Sequence, residues 1–199
     1  MSNRRILMIV VSALLVALGV GFAVMPGCSR SEGGADDGVP AVDTEIMAFL
    51  SEARALHHQA NLAEEGGDLP VAIGAMDRLV AARRPHPERK TPEVEEVLAD
   101  AYARLAELRL KKGDLDPAAT AVKSGLDHVA EATYFRGHLV EVQGLIEEAR
   151  AARLADAGKP LEAKQARERA IQLLEEVVKI QDQVIQRSLA KDGGAEAAR

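Results

Sequence analysis

The amino-terminal part of the chain contains an unbroken apolar run, residues 6–25, in which nothing is more polar than Ser12. At about 1.5 Å per residue, a helix of this length crosses the roughly 30 Å hydrocarbon core of a bilayer. Arg4 and Arg5 precede the run, whereas the residues just after it carry more acidic than basic side chains. This asymmetry predicts an amino terminus in the cytoplasm and an exported body, which would lie on the periplasmic side in a Gram-negative bacterium.

The single cysteine of the chain, Cys28, stands at the end of this run after a glycine. This arrangement resembles the signal peptides of bacterial lipoproteins, in which the chain is cut before the cysteine and the cysteine then carries lipid. Met25 and Pro26 depart from that pattern, and the run is longer than the about 7–15 apolar residues of a cleaved signal. Residues 1–28 are therefore predicted to be a signal peptide with lipidation at Cys28 or an uncleaved transmembrane signal anchor, with a plain cleaved signal as a third alternative. The first two would hold the protein at the membrane through residues 6–28.

The composition favours helices and excludes several functions. The chain has no Trp, two Tyr and three Phe, so the aromatic residues that strands favour are scarce. One cysteine excludes an intrachain disulfide and a zinc site built from paired cysteines. The formal net charge of −6 argues against nucleic acid as a partner, because binding to phosphates needs clustered Lys and Arg. We therefore expect an all-α protein that does not bind nucleic acid.

Beyond residue 28 the sequence divides into three parts. Residues 29–42 are rich in Gly and Asp and contain almost nothing to bury, which predicts a flexible linker. Residues 43–190 carry apolar residues at steps of three and four, the period of one helix face, in six successive segments. The sixth segment starts at Pro160, and residues 191–199 after it are predicted to be a disordered tail.

Three glycines that end the longer helices divide the body into repeats. Gly67, Gly113 and Gly158 lie 46 and 45 residues apart, and an Asp or a Pro that can start the next helix follows each of them. A fixed period of about 20–50 residues is typical of repeat arrays, in which each helical hairpin buries its apolar face against its neighbour. The spacing therefore predicts three stacked helical hairpins.

The middle hairpin resembles a tetratricopeptide repeat (TPR) in its placing of large and small residues. The residues that carry this resemblance are Tyr102, Leu105, Ala106, Gly113, Asp114, Ala118, Val122 and Gly125. The first hairpin matches through Leu56, Ala60, Gly67, Asp68, Ala72 and Met76, and the third through Gly158, Ala163 and Ala170. The chain departs from the family in its period, which is about 34 residues in TPR proteins, and at Arg109 and Ala130, where an aromatic residue and a proline are usual. The resemblance implies three antiparallel helical hairpins stacked as a short TPR-like array, with a generic antiparallel helix bundle as the alternative.

The TPR resemblance also implies a place for a partner. In that family, the first helix of each hairpin lines a concave groove, and counting back from each turn glycine gives the corresponding positions here. These are Arg54, His57, Asn61, Glu64, Asp100, Ala103, Glu107, Leu110 and Glu148. The alternative is that they form a solvated face. With the membrane segment, the resemblance implies a membrane-tethered scaffold or assembly factor that binds another envelope protein.

No pattern in the sequence predicts an enzyme, a metal site or a cofactor. The chain has no nucleophile motif with a basic partner and no glycine-rich phosphate loop after a strand. His128 with Glu131 and His138 with Glu141 have the reverse order of the Glu-x-x-His motif of di-metal bundles. We therefore expect these histidines to be ordinary exposed side chains and the protein to have no catalytic residues.

The last helix favours a second class of function. Ile171, Leu174, Val178 and Ile185 follow the alternating steps of a coiled-coil seam, with Gln181 as the polar interruption. A terminal repeat normally presents a polar outer face, so this stripe predicts either a homo-oligomer through the last helix or a site for the true partner. The alternative function is accordingly a structural spacer or self-associating helical bundle with no foreign ligand.

Overall fold

The computed structural model describes residues 43–196, with side chains as far as residue 190. This part of the chain contains six α-helices and no strand, which confirms the prediction of an all-α protein for it. The helices are α1 (Thr44–Glu65), α2 (Leu69–Val80), α3 (Pro92–Lys112), α4 (Leu115–Leu126), α5 (Tyr134–Asp156) and α6 (Pro160–Glu196). The predicted membrane segment, the linker and Cys28 lie outside the described residues. Among the described helices, none is both long and apolar enough to span a bilayer.

Helices α1 and α2 begin just after an Asp whose side chain caps them. Asp43 accepts hydrogen bonds from the backbone N–H groups of Glu45 and Ile46, both at 3.2 Å, at the start of α1. Asp68 accepts one from Val71 at 3.1 Å at the start of α2. These bonds satisfy donors that have no partner inside the helix, so the first residues of these two helices are specified locally.

The three turn glycines end α1, α3 and α5 with one recurring geometry. Gly67, Gly113 and Gly158 have φ angles of 80°, 91° and 70°, in the left-handed region that L side chains rarely adopt. In each case the residue after the glycine donates its N–H to a carbonyl in the last turn of the helix, at 2.8–2.9 Å. The prediction that these glycines stop the helices is therefore confirmed, and the three helices end by the same closure.

Two boundaries differ from those expected. Helix α5 begins at Tyr134, more than a turn before its first predicted apolar position at Leu139, because Thr133 caps it through a hydrogen bond from the N–H of Arg136 at 3.2 Å. Helix α6 continues through Gly193 and Gly194 to Glu196, past the predicted end near residue 190. Glycine lowers helix propensity without forbidding the helical conformation.

Each helix packs against the one that follows it after a short turn, so that α1 pairs with α2, α3 with α4 and α5 with α6. Helix α3 lies at the centre, in contact with α1, α2, α4 and α5. Its buried leucines join a core whose largest enclosed side chains are Met76, Leu79, Leu98, Leu105, Leu108, Leu139 and Ile146. Fully buried alanines fill the contacts between these side chains and allow the helices to approach closely.

Helix α6 packs on α5 and on no other helix of the described part. Val140 of α5 and Val177 and Ile180 of α6 form a small second core between them. The next edge of α6 is left open to solvent, and its apolar side chains Ile171, Val178 and Ile185 are each more than half exposed.

Candidate functional site

The first helices of the three pairs share one polar face. Helix α1 contacts α3 and α3 contacts α5, so side chains of one helix reach those of the next across this face. Arg104 of α3 bonds to Glu64 of α1 and, at 3.1 Å, to the side-chain oxygen of Asn61. The Nζ of Lys111 lies 3.0 Å from the second oxygen of Glu64. These contacts fix the carboxylate of Glu64 between two cations from the neighbouring helix.

The same face joins α3 to α5. The imidazole Nε2 of His138 lies 2.9 Å from a carboxylate oxygen of Glu107, and the other oxygen of Glu107 accepts a bond from Arg104 at 3.2 Å. Glu64, Arg104, Glu107 and His138 therefore form a continuous charge chain across three helices. Its members are about one-fifth to one-third exposed, so the contacts remain open to solvent on one side.

The charge chain shifts the pKa of the groups within it. The hydrogen bond to Glu107 raises the pKa of His138 against the opposing effect of burial, and the charges of Glu107, Asp100 and Glu141 add to the rise. Burial raises the pKa of Glu107, but its bonds to His138 and Arg104 outweigh burial and bring that pKa below its usual value. Each side chain of this pair therefore stabilises the charged form of the other.

A second histidine on the same face shifts in the opposite direction. His57 of α1 lies 3.7 Å from Asp100 of α3. Burial lowers its pKa, and the nearby charge of Arg104 lowers it further, against the attraction of Asp100. Neutral His57 and protonated His138 are thus the forms that this face favours.

The two histidines should titrate on opposite sides of the ordinary histidine pKa. We expect an NMR titration of the imidazole resonances to give His138 a pKa above about 6.5 and His57 a pKa below it. Glu107→Gln removes the charge that His138 faces and should lower the pKa of His138 with little effect on that of His57. A His138 that titrates below His57 would contradict the charge chain.

These shifts also determine the sign of the pH dependence of stability. The stabilising contribution of His138, whose pKa is raised, is fully present below about pH 6.5 and is lost as the pH rises through its folded-state pKa. The contribution of His57, whose pKa is lowered, is present above about pH 6.5 and is lost as the pH falls through its folded-state pKa. Each should amount to about 1 kcal/mol or less, because solvent screens both pairs.

An apolar groove lies beside the charge chain, between α5 and α6. A cavity of about 280 Å³ there is lined by His138, Glu141 and Tyr134 of α5 and by Ile180, Val184 and Ile185 of α6, among others. His138 is therefore shared between the charge chain and the groove. Its Nδ1 atom is enclosed and has no hydrogen-bond partner.

The predicted groove residues fall into four groups. His57, Asn61, Glu64, Asp100 and Glu107 make the contacts between helices described above. Arg54 and Glu148 are exposed, and Leu110 is half buried against the core. Ala103 is fully buried, so it cannot line a surface groove, and its place there is corrected. The residue of α3 that reaches this face is Arg104, one position further along the helix than the position obtained by counting back from Gly113.

Arg104, Lys111 and His138 belong to the site but were not predicted. Counting back from the turn glycines assumes that each first helix sits at the same height against its neighbour. His138, in the second turn of α5, instead contacts Glu107, in the last third of α3. The sequence shows which residues are basic and which are acidic. Which acid a given basic residue contacts depends on how far the helices are offset along their axes, as for His138 and Glu107.

His128 and His138 are not the exposed side chains that the sequence suggested. The ring nitrogen Nδ1 of His128 lies 2.7 Å from Glu95, Arg84 contacts both, and Tyr102 stacks on the ring at a centroid distance of 5.5 Å. His128 is mostly buried in this cluster, whereas Glu131 points to a different partner, Arg187. Within residues 43–196, no group of three or more His, Cys, Asp or Glu side chains is placed to hold a metal ion.

A scan against protein-family models, a search of curated proteins and a search of solved structures each find no match to this chain. The function must therefore be inferred from the chemistry of the face and the groove.

Proposed function

We propose that this chain is a membrane-tethered envelope protein that binds another envelope protein through a TPR-like helical domain, as a scaffold or an assembly factor. The observation that carries the proposal is the face shared by α1, α3 and α5. Its polar side chains bridge the helices and stay partly exposed, so the face is both rigid and open. A surface of this kind offers preformed hydrogen-bonding and charged groups at a low entropic cost of binding.

Other features of the described part support a TPR-like arrangement of the hairpins. The same glycine closure ends α1, α3 and α5, and buried alanines and Gly125 allow close contacts where the resemblance has small residues. A role in binding rather than catalysis agrees with a face whose charged groups are engaged with each other. We accordingly propose a protein partner and no resident cofactor.

Site-specific photo-crosslinking in cells tests this function. A crosslinking amino acid at Arg54 or Glu148, both exposed on first helices, should capture a discrete partner band from the membrane fraction. The matched control positions are Thr120 and Lys123, which are exposed on the second helix α4. We expect bands from the first pair only. Equal capture from both pairs, or no capture from either, would exclude the shared face as the binding surface.

The tether is tested separately through Cys28. If the lipoprotein interpretation is correct, a palmitate analogue should label the protein, and Cys28→Ala should abolish the label, because Cys28 is the only thiol. Membrane fractionation without any label would instead favour the uncleaved transmembrane anchor. Recovery of the protein in the soluble fraction, with no label, would refute both forms of tether.

The alternative function is a structural spacer or self-associating bundle. The open apolar edge of α6 favours it, because Ile171, Val178 and Ile185 are exposed at coiled-coil spacing. In that case a crosslinking amino acid at Val178, on this edge of α6, would capture copies of the chain itself.

A further inference from the structure

Exposed apolar side chains lie in the groove between α5 and α6 and on the edge of α6 beside it. Tyr134 of α5 is 70% exposed, and Ile171, Val178 and Ile185 of α6 are 54–56% exposed. The three α6 residues are separated by seven residues each, so they lie along one line, two turns apart. An apolar row at this spacing matches one face of a helix laid along the groove.

Two glycines of α5 lie at its contact with α6. Gly137 and Gly144 are buried against α6, where an added Cβ would lie 3.5 Å from Ile180 and 3.2 Å from Leu174 respectively. The two helices therefore approach closely along their buried faces. The row of Ile171, Val178 and Ile185 stands on the neighbouring edge of α6 and is left uncovered.

Acidic side chains border the groove on both helices. Glu141 and Glu148 of α5 are exposed, and so are Glu175 and Asp182 of α6; each pair is separated by seven residues and thus forms a row parallel to the groove. Other acids of this region, such as Glu176 and Glu131, are paired with Arg136 and Arg187.

The bordering acids of α6 have one basic neighbour, Lys179. By the 100° rotation per residue, Lys179 lies on the side of Glu175 and Asp182 that faces away from the apolar row. No ion pair joins it to either acid in the part of the chain that the structure describes. The α6 border consequently presents negative charge to whatever occupies the groove, and Glu141 and Glu148 add acidic side chains on α5, where His138 lies beside Glu141.

We propose that this groove binds a basic amphipathic helix of another protein, with its apolar residues on the row of α6 and its Lys or Arg side chains on the acidic borders. The inference rests on the proposed function and names the chemistry of the partner. A second copy of the chain is disfavoured, because pairing two such grooves would bring the acidic borders together.

Binding of designed peptides to the full chain in detergent tests the proposal. The probe is a fluorescently labelled peptide of about 18 residues, with Leu at alternating steps of three and four and Lys on both sides of the Leu row. The matched probe has Glu in place of every Lys. We expect the basic peptide to bind, the acidic peptide not to bind, and added salt to weaken the binding because exposed charges are screened.

Two double variants separate the apolar contribution from the charge contribution. Val178→Ser with Ile185→Ser should raise the Kd for the basic peptide by about tenfold, since both side chains are exposed hydrophobic contacts. Glu175→Gln with Asp182→Asn should raise it by about fivefold. The control is Glu45→Gln with Glu52→Gln. It also removes two negative charges, but from exposed sites on α1, and should leave the Kd unchanged. Equal binding of the two peptides, or an equal effect of the control pair, would overturn the proposal.

Photo-crosslinking of the full chain in membranes distinguishes this proposal from the general function. A crosslinker at Val178 should capture a foreign protein, and Glu175→Gln with Asp182→Asn should reduce that capture. Capture from Arg54 but not from Val178 would leave the binding function standing and overturn the groove as its site. Capture of the chain itself from Val178 would identify a second copy as the occupant and overturn the proposal, and no capture from either position would overturn both.

Discussion

Leu139→Ala should lower the free energy of unfolding by about 3–4 kcal/mol, which is a large part of the stability of a domain of this size. Leu139 is fully buried, and its methyl groups lie against Gly125 at the junction of α3, α4 and α5. Truncation removes buried apolar surface and leaves a cavity that rigid helices on three sides cannot fill. Urea denaturation of the compact unit, residues 42–199, followed by circular dichroism, measures the loss.

Leu145→Ala provides the matched control for this experiment. It is the same substitution on the same helix, but Leu145 is 39% exposed. We expect a loss of about 1 kcal/mol or less, because little buried area is removed. Similar losses for the two variants would show that α5 does not pack by the face described above.

Gly125→Ala should lower the free energy of unfolding by about 2 kcal/mol, although alanine favours helices over glycine by about 1 kcal/mol. A Cβ at position 125 would lie 2.6 Å from Cδ2 of Leu139 and 2.9 Å from Cβ of Tyr102. The leucine can change rotamer, but the Cβ of Tyr102 moves only with its backbone. Helices α3 and α4 would therefore have to separate.

Gly74→Ala is the control for position 125, and we expect it to act with the opposite sign. Gly74 also lies within a helix, α2, but a Cβ there would meet nothing within 4 Å. The substitution should raise the free energy of unfolding by about 0.5–1 kcal/mol through helix propensity alone. If Gly74→Ala destabilised the protein as much as Gly125→Ala, helix propensity would not account for the effect at position 74.

The double variant Leu139→Ala with Gly125→Ala tests whether the two single effects come from the same contact between positions 125 and 139. Leu139→Ala removes the atoms nearest to the new Cβ at position 125, so the double variant should lose less stability than the sum of the single losses. Strict additivity would indicate that the close approach of Gly125 to Leu139 is not the source of the strain. The remaining contact with Tyr102 keeps the compensation incomplete.

Apart from the start of α5 and the end of α6, the helix ends could be predicted because their signals are local. Asp43 and Asp68 cap the donors of the residues two or three positions ahead, and Gly113 supplies the left-handed conformation that ends α3. Such interactions depend on the conformation of a few neighbouring residues. The apolar period in turn predicted which face of each helix is buried, as at Phe49, Leu56 and Leu98.

The composition of the candidate site was predicted only in part. His57, Glu64 and Glu107 were selected because they lie on the counted face of a first helix. The counting gave Ala103, which is buried, and not its neighbour Arg104. With about 3.6 residues per turn, the edge of a helix face is uncertain by one position. Counting back from the turn glycines did not give His138 as a site residue, so its contact with Glu107 was not predicted.

Capping side chains, turn glycines and apolar periodicity thus specify in this chain where helices start and stop and which faces they bury. The height at which α5 sits against α3, and hence the pairing of His138 with Glu107, follows from packing between residues far apart in sequence, such as Leu139 against Gly125. The groove beside α6 has the same origin, because α6 packs on α5 alone and one apolar edge remains uncovered. A periodic pattern defines the direction that a side chain takes around its helix axis, whereas the offset along the axis is decided by close packing of the assembled helices.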